Sequence, residues 1–281
     1  MMDDNINEIP RGWQIFAQMF LILFTLLTLL PLVWMFYSSF KLQGDIMLHP
    51  MSLPKAPTVQ NYIQAWKIGH MAQSFINSIV YSGIATSLTV FLAVASSFAL
   101  TKFGFKSSKI YFSIFTLGLL ITVNSVIAPL FFMETRIGLY NTRIGVILPY
   151  IAFGLPMAIL LACSFIKGIP DSLIEAAIID GANYLQIFWR IILVLSTPVV
   201  ATIAILTFLR NWNEFVLVFI LTSGEHMRSL PVSINSFAGR LNQDYGMQFA
   251  ALTIGTLPMI LFYIGAHNMI IKGFGEGALK E

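Results

Sequence analysis

The sequence predicts an all-α membrane protein of six transmembrane helices, and three observations carry that reading. Charge is scarce: Lys, Arg, Asp and Glu make up 10% of the 281 residues and hydrophobic residues 57%, against the roughly 25% charged that is usual in a soluble domain. The mean hydropathy is +0.79. The apolar residues are also gathered into runs long enough to cross a bilayer, at about 14–36, 75–100, 110–132, 145–166, 191–221 and 249–271.

The first run follows MMDDNINEIPRGW, acidic where a secretory signal is basic, and it is longer than a signal's apolar region, so it reads as an uncleaved first span. Runs one to four hold no Asp, Glu, Lys or Arg and can enter hydrocarbon with no charge to pair. Pro31, Pro129 and Pro156 fall inside them; neighbouring helices can satisfy the carbonyls that prolines free. Residues 37–74 are Pro-rich and are expected to form an outer cap with one short helix near residues 61–66.

The fifth run, taken as one helix, would be about 46 Å long. That is well beyond a hydrocarbon core of about 30 Å, so part of it must protrude or tilt. Within it, LRNWNEF places Arg210, Asn211, Asn213 and Glu214 around Trp212. A central Arg or Asp costs about 2.5 to 3.5 kcal/mol in a lipid-embedded helix. The cluster is therefore expected to face a water-filled path or to pair internally, Arg210 with Glu214 at i, i+4. The alternative is an interfacial belt, with Trp212 at headgroup level and Arg210 snorkelling. Residues 222–248 read as a polar outer loop. The last span ends in GFGEG, read as a frayed tail, because no strand precedes those glycines and no helix is expected to follow them.

Between the fourth and fifth runs lies the most informative stretch, Ile169 to Pro198. Ser172 and Glu175 have capping-box spacing and are expected to start a short helix whose apolar stripe is Ile174, Ala177 and Ile178. Asp180-Gly181 is a turn that ends it. Asn183 with Gln186 is a second capping pair, opening a helix that runs without a break into the fifth apolar run. The expected product is helix, tight Gly turn, helix.

Glu175-Ala176-Ala177, Asp180-Gly181-Ala182, Ile191 and Pro198 together resemble the EAA loop of the membrane subunits of bacterial ABC importers. Further words in order, Asn61-Tyr62 before Trp66, Asn77-Ser78, Ser97-Phe98-Ala99-Leu100, Ile137 to Thr142 and Trp212-Asn213-Glu214-Phe215, look like the sugar-uptake branch, similar to the smaller maltose-type permease subunit. The resemblance extends from about Asn61 to Gly277. It implies a type I ABC importer permease architecture, with residues 1–281 as a single transmembrane domain in the bacterial cell membrane. The loop at about 167–190 would be the cytoplasmic joint to the ATPase through Glu175, Ala176, Ala177, Asp180, Gly181 and Ala182, and Arg210, Asn211, Asn213 and Glu214 would belong to the translocation path. The implied partners are a second permease subunit, ATP-binding cassette ATPase subunits, an extracytoplasmic solute-binding protein and membrane lipid. The cargo would be a sugar or oligosaccharide, with a polyol or glycerol phosphate as the alternative. The rival class is a self-sufficient channel or secondary transporter built on Arg210 and Glu214.

Several functions are excluded or unsupported. No phosphate-binding G-x-x-x-x-G-K-[ST] occurs, so an ATPase must be a separate subunit. His49, His70, His226 and His267 lack metal-ligand spacing, and no catalytic constellation or cofactor site is expected. Cys163 is the single cysteine and reads as a small buried hydrophobe. The net charge of +3 rests on loop residues beside anionic lipid and gives no nucleic-acid inference. Basic residues divide almost evenly between the two sides: Arg11, Lys102, Lys106, Lys109, Lys167, Arg190, Lys272 and Lys280 against Lys41, Lys55, Lys67, Arg136, Arg143, Arg228 and Arg240. The orientation with termini inside therefore rests on the dense Lys102–Lys109 cluster and on the EAA resemblance.

Overall fold

The apolar runs are helical, but two of them are broken. The computed structural model describes residues 10–237 and 244–278, of which 11 and 266–278 are described by their backbone alone. These residues divide into two units, Met1–Gly69 with Phe237–Ile254, and His70–Ser236 with Gly255–Glu281.

In the first unit, α1 (Arg11–Ser38) is apolar on every side, with Pro31 inside it. None of its most apolar stretch of 18 residues is buried, as suits a helix bathed in hydrocarbon, whereas Ser38 at its end is. The expected outer cap holds two short helices, α2 (Gln43–Leu48) and α3 (Gln60–Ile68), where the sequence pointed to one. α2 is six residues with no apolar period, and its stability comes from elsewhere. The fully buried Lys41 donates through Nζ to the carbonyls of His49 and Pro50 at 2.9 and 3.0 Å, at the C-terminal end of α2. A cation is favoured there by the free carbonyls and the helix dipole. Asn61 Nδ2 then donates to the carbonyls of Ser39 and Lys41, both at 2.8 Å, and holds α3 to this turn.

The second unit opens with α4 (Met71–Lys102), an unbroken helix of 32 residues. The third apolar run is not one helix. α5 (Ser108–Leu117) tightens into a 3-10 turn, and α6 (Val123–Ile137) leaves it at 100°. The break lies at Ile121 and Thr122, both in extended backbone. β-Branched residues after Gly118 can leave the helical region, and hydropathy is blind to it. α7 (Arg143–Lys167) follows and contains Pro149 and Pro156.

After α7 come α8 (Asp171–Ile179), α9 (Tyr184–Ile187), a π-turn over Phe188–Ile192 and α10 (Leu193–Leu195). The chain then bends by 75° into α11 (Thr197–Trp212). This corrects the expectation of a continuous helix from Asn183. Pro198 has no N–H to offer the Val194 carbonyl four residues back. The Thr197 hydroxyl takes that carbonyl instead, at 2.7 Å. α12 (Val216–Leu221) and α13 (Leu230–Asn235) complete the region before α14 (Tyr245–Ala278), which carries Pro258 and stays helical through the glycines read as a frayed tail. The polar loop expected over 222–248 is thus partly helical. Of the expected spans, four are single helices and two are bent pairs.

Two apolar clusters lie along α4 and α7. One gathers Val94 and Phe98 of α4, Ile159 and Ile166 of α7, Ile174, Ile187 and Phe188 of the α8–α10 region, and Ile203 of α11. Cys163 belongs to it and is 1% exposed, as a small buried hydrophobe. The other gathers Tyr81 and Ala85 with Tyr150, Ile151, Leu217, Leu221 and Val232. Between them α7 approaches α4 at Gly154, where an added Cβ would stand 3.1 Å from the Thr89 methyl. Small residues allow such close helix approach in membranes. Gly154→Leu is expected to destabilise the fold by about 1 to 3 kcal/mol through overpacking, visible as a lower thermal midpoint of the detergent-solubilised chain, whereas Gly83→Leu, with open space around its Cβ position, is expected to leave it unchanged.

Candidate functional site

The α8–α9 stretch has the expected helix–turn–helix form, with one corrected start. Pro170, not Ser172, is the N-cap of α8, and no side chain caps it. Proline's fixed φ and missing N–H suit a helix entrance. Ser172 therefore falls inside the first turn, where its hydroxyl cannot make the expected cap. Asp171 opens the helix and pairs with Lys102 Nζ at 2.7 Å. Ile174 is buried and Ala177 packs beside it, but Ile178 is 47% exposed, so the predicted stripe is narrower than its spacing implied.

The turn is a Schellman motif. Gly181 has φ +81°. Its N–H bonds to the Ile178 carbonyl at 3.0 Å, and the Ala182 N–H reaches the Ala177 carbonyl at 2.9 Å. Ala177 and Ala182 are the two small apolar residues that such a motif brings together, and both lie against the cluster that holds Ile174 and Ile187. Asn183 and Gln186 form the capping box foreseen from their spacing, each side chain meeting the other's backbone N–H at 2.9 Å.

What remains outward is a distinct surface. Glu175, Ala176 and Asp180 are exposed. Among the described residues Glu175 has neither a hydrogen bond nor an ion pair. Around it Leu173, Ile179, Tyr184 and Leu185 are also exposed, Ile179 at 84%. Two free carboxylates, Glu175 and Asp180, among apolar side chains, on a loop whose Schellman turn and capping box are formed, make a surface shaped for a protein partner.

The structure treats the second predicted set differently. Arg210 and Asn213 are exposed, Glu214 is half-buried and Asn211 is buried. Arg210 and Glu214 do not pair. α11 ends at Trp212 with Asn213 as its C-cap, so the i, i+4 geometry is lost between them. Glu214 instead turns forward and accepts the Leu217 N–H at 3.0 Å, capping the start of α12. Arg210 lies over the Phe153 ring, 5.9 Å from its centroid. Trp212 is buried, edge-on to Phe75 at 5.6 Å and stacked on Phe208 at 5.6 Å, which rules out a headgroup-level belt built on it. An interrupted helix presenting an unpaired cation and an amide is how membrane transporters place polar groups at depth.

Residues outside both predicted sets also converge. Asn141, at φ 58°, accepts the Ser223 and Gly224 N–H groups at 3.0 and 3.3 Å. Asn77, Ser78 and Tyr81 of α4 bind the backbone between His226 and Leu230. These partners lie far apart in sequence, so no local spacing announces them. Among the described residues no His, Cys, Asp and Glu cluster could hold a metal ion.

Residues 91–274 match the family described as the binding-protein-dependent transport system inner membrane component. This chain belongs to that family. The match includes both the Glu175–Ala182 surface and the Arg210–Glu214 region. The chain is also similar to a probable ABC transporter permease protein of Bacillus subtilis, YurM, at 33% identity over 93% of this chain and 87% of that one. It is 32% identical, over 96% of its length and 90% of the relative's, to the diacetylchitobiose uptake system permease protein NgcG of Streptomyces coelicolor. Its fold resembles the crystal structure of a bacterial ABC transporter involved in the import of alginate, with a TM-score of 0.82 and 23% identity over 92% of this chain and 96% of that one. This inner membrane component is thus a multi-pass permease of an ABC importer. It is a transport component, not an enzyme, and membership does not favour the self-sufficient channel or secondary transporter.

Proposed function

We infer that this permease subunit and a second one line the path for a sugar or oligosaccharide delivered by an extracytoplasmic binding protein, and that Glu175 to Ala182 is the surface on which an ATPase subunit pushes. The carrying observation is the surface itself: Glu175 is exposed with a carboxylate that makes no hydrogen bond or ion pair among the described residues, on a helix that ends in a Schellman turn and is followed by a capping box. Such a carboxylate has its charge available for an Arg or Lys of the ATPase, a bond of about 1.5 to 3 kcal/mol. ATP-driven closure would then move the attached helices and change which side the path opens to. A saccharide cargo is supported by the resemblance to a permease named for diacetylchitobiose uptake. Arg210, at the end of α11, and Asn213 and Glu214, just beyond it, are the polar groups offered to it; Asn211 is buried and its Nδ2 has no hydrogen-bond partner among the described residues.

Orientation is testable directly. In a Cys163→Ala background, Asn235→Cys is expected to react with a membrane-impermeant maleimide in intact cells, while Ser172→Cys reacts only after permeabilisation. Both positions are exposed. The reverse pattern would put the proposed ATPase surface on the wrong side and end this reading.

A further inference from the structure

α4 is gripped at both ends by segments remote from it in sequence. At one end Lys102, with a side chain 5% exposed, donates through Nζ to the Ile169 carbonyl at 2.6 Å and to Asp171 Oδ1 at 2.7 Å. That ties the entrance of α8 to the last turn of α4. The exit of the loop is held to the same helix end by rings, Phe103 4.9 Å from Tyr184 and Phe98 6.1 Å from Phe188. At the other end Asn77 Nδ2 donates to the carbonyls of His226 and Arg228 at 2.7 and 3.0 Å, and the Tyr81 hydroxyl to that of Met227 at 2.9 Å. Ser78 Oγ accepts the Leu230 N–H at 2.8 Å, which fixes the start of α13. Apart from the exposed Lys102–Asp171 pair these are buried or half-buried bonds, so neither segment can slide along α4 without stranding polar groups.

Between the two grips the helix is unusual in this chain. From Asn77 to Lys102 it rises roughly 38 Å, more than a hydrocarbon core of about 30 Å, and it contains no proline. The other three unbroken helices of spanning length each contain at least one: Pro31 in α1, Pro149 and Pro156 in α7, Pro258 in α14. The remaining two apolar runs are bent by 100° and 75°. Bends and prolines let a helix flex where a backbone bond is missing, whereas a fully bonded helix moves as one body.

We propose that α4 is the rod through which the Glu175 loop and the segment 222–235 on the opposite membrane face move together. Lys102 and Asp171 are the positioning residues of the inner joint, Asn77 and Tyr81 those of the outer. The proposal rests on the ABC coupling reading above. It gives the ATPase a route to the outer segment that bypasses α7 and α11, the helices to which the loop is covalently joined.

The test uses the complex purified from its native membrane with its ATPase, in the Cys163→Ala background, carrying an environment-sensitive fluorophore at Ser172→Cys or at Asn235→Cys. Mg-ATP with orthovanadate is expected to change the signal at both positions. With Asp171→Ala or Lys102→Met, the Ser172 response is expected to persist while the Asn235 response falls at least about fivefold, the lower end of typical coupling between sites. Lys102→Arg keeps the charge and donors and is expected to preserve both responses. Asn77→Leu, at the outer joint, is expected to act like Lys102→Met. Asp171 lies on the surface, with 75% of its side chain exposed, so Asp171→Ala remains informative if Lys102→Met does not fold. An undiminished Asn235 response in Asp171→Ala, and in whichever of Lys102→Met and Asn77→Leu folds, would overturn the rod. An absent ATPase, or a silent Ser172 label in the otherwise unaltered complex, would instead overturn the ABC coupling reading and the rod with it.

Discussion

Glu175→Lys is expected to leave the chain in the membrane and to abolish ATP-dependent uptake, with the ATPase subunit lost during purification. The carboxylate is exposed and makes no hydrogen bond or ion pair among the described residues, so its replacement should not disturb the fold; surface substitutions of this kind usually change stability by no more than about 0.5 kcal/mol. Towards a partner the change is twofold. It removes a charge-assisted bond of about 1.5 to 3 kcal/mol and sets like charges together at the joint, where repulsion costs several kcal/mol more. Gly181 tests the backbone of the same loop. At φ +81° an added Cβ meets no neighbour, but a valine is strained by about 1 to 2 kcal/mol. Asparagine tolerates that conformation, as Asn141 does in this chain at φ 58°. Uptake is therefore expected to fall strongly in Gly181→Val and to recover largely in Gly181→Asn. Full uptake in both Glu175→Lys and Gly181→Val would sink the assignment of this loop to the ATPase.

Arg210→Ala is expected to cut uptake roughly ten- to hundredfold, the loss of about 1.5 to 3 kcal/mol of charge-assisted bonding to a polar cargo, while the complex still assembles. Arg210 is exposed, lies over the Phe153 ring and makes no hydrogen bond or ion pair among the described residues, so the variant strands no hydrogen-bonding partner. Glu214 separates two roles. Its carboxylate caps the Leu217 N–H, a bond that a glutamine amide oxygen can also make. Glu214→Gln is expected to assemble normally and to report only the missing charge, whereas Glu214→Ala also loses the cap, at about 1 kcal/mol. Initial uptake rates over a range of substrate concentrations decide it. If Arg210→Ala transports at the unaltered rate, the polar cluster is not on the path.

By itself the sequence determined what depends on neighbours within a few residues or on the medium around a segment. Runs of apolar residues report burial in lipid, and the positions of the apolar segments follow from that alone. The Gly181 turn and the Asn183–Gln186 box close over three to five residues, so their geometry was legible in the spacing. Even locally, Pro170 displaced Ser172 from the cap, because a fixed φ at the helix entrance outweighs a favourable hydroxyl. Only the tertiary structure decided what hydropathy cannot see. The turns at Ile121–Thr122 and Ser196 are changes of φ and ψ inside uniformly apolar runs. Arg210 and Glu214 are separated by a helix end, and the outer loop is partly folded because α4 supplies its hydrogen bonds. Lys102 finds Asp171 across 69 residues and Asn77 finds His226 across 149. Pairings at that range depend on which helices lie side by side, and that is set by close packing at places such as Gly154 against Thr89, a property of shape that no single segment carries.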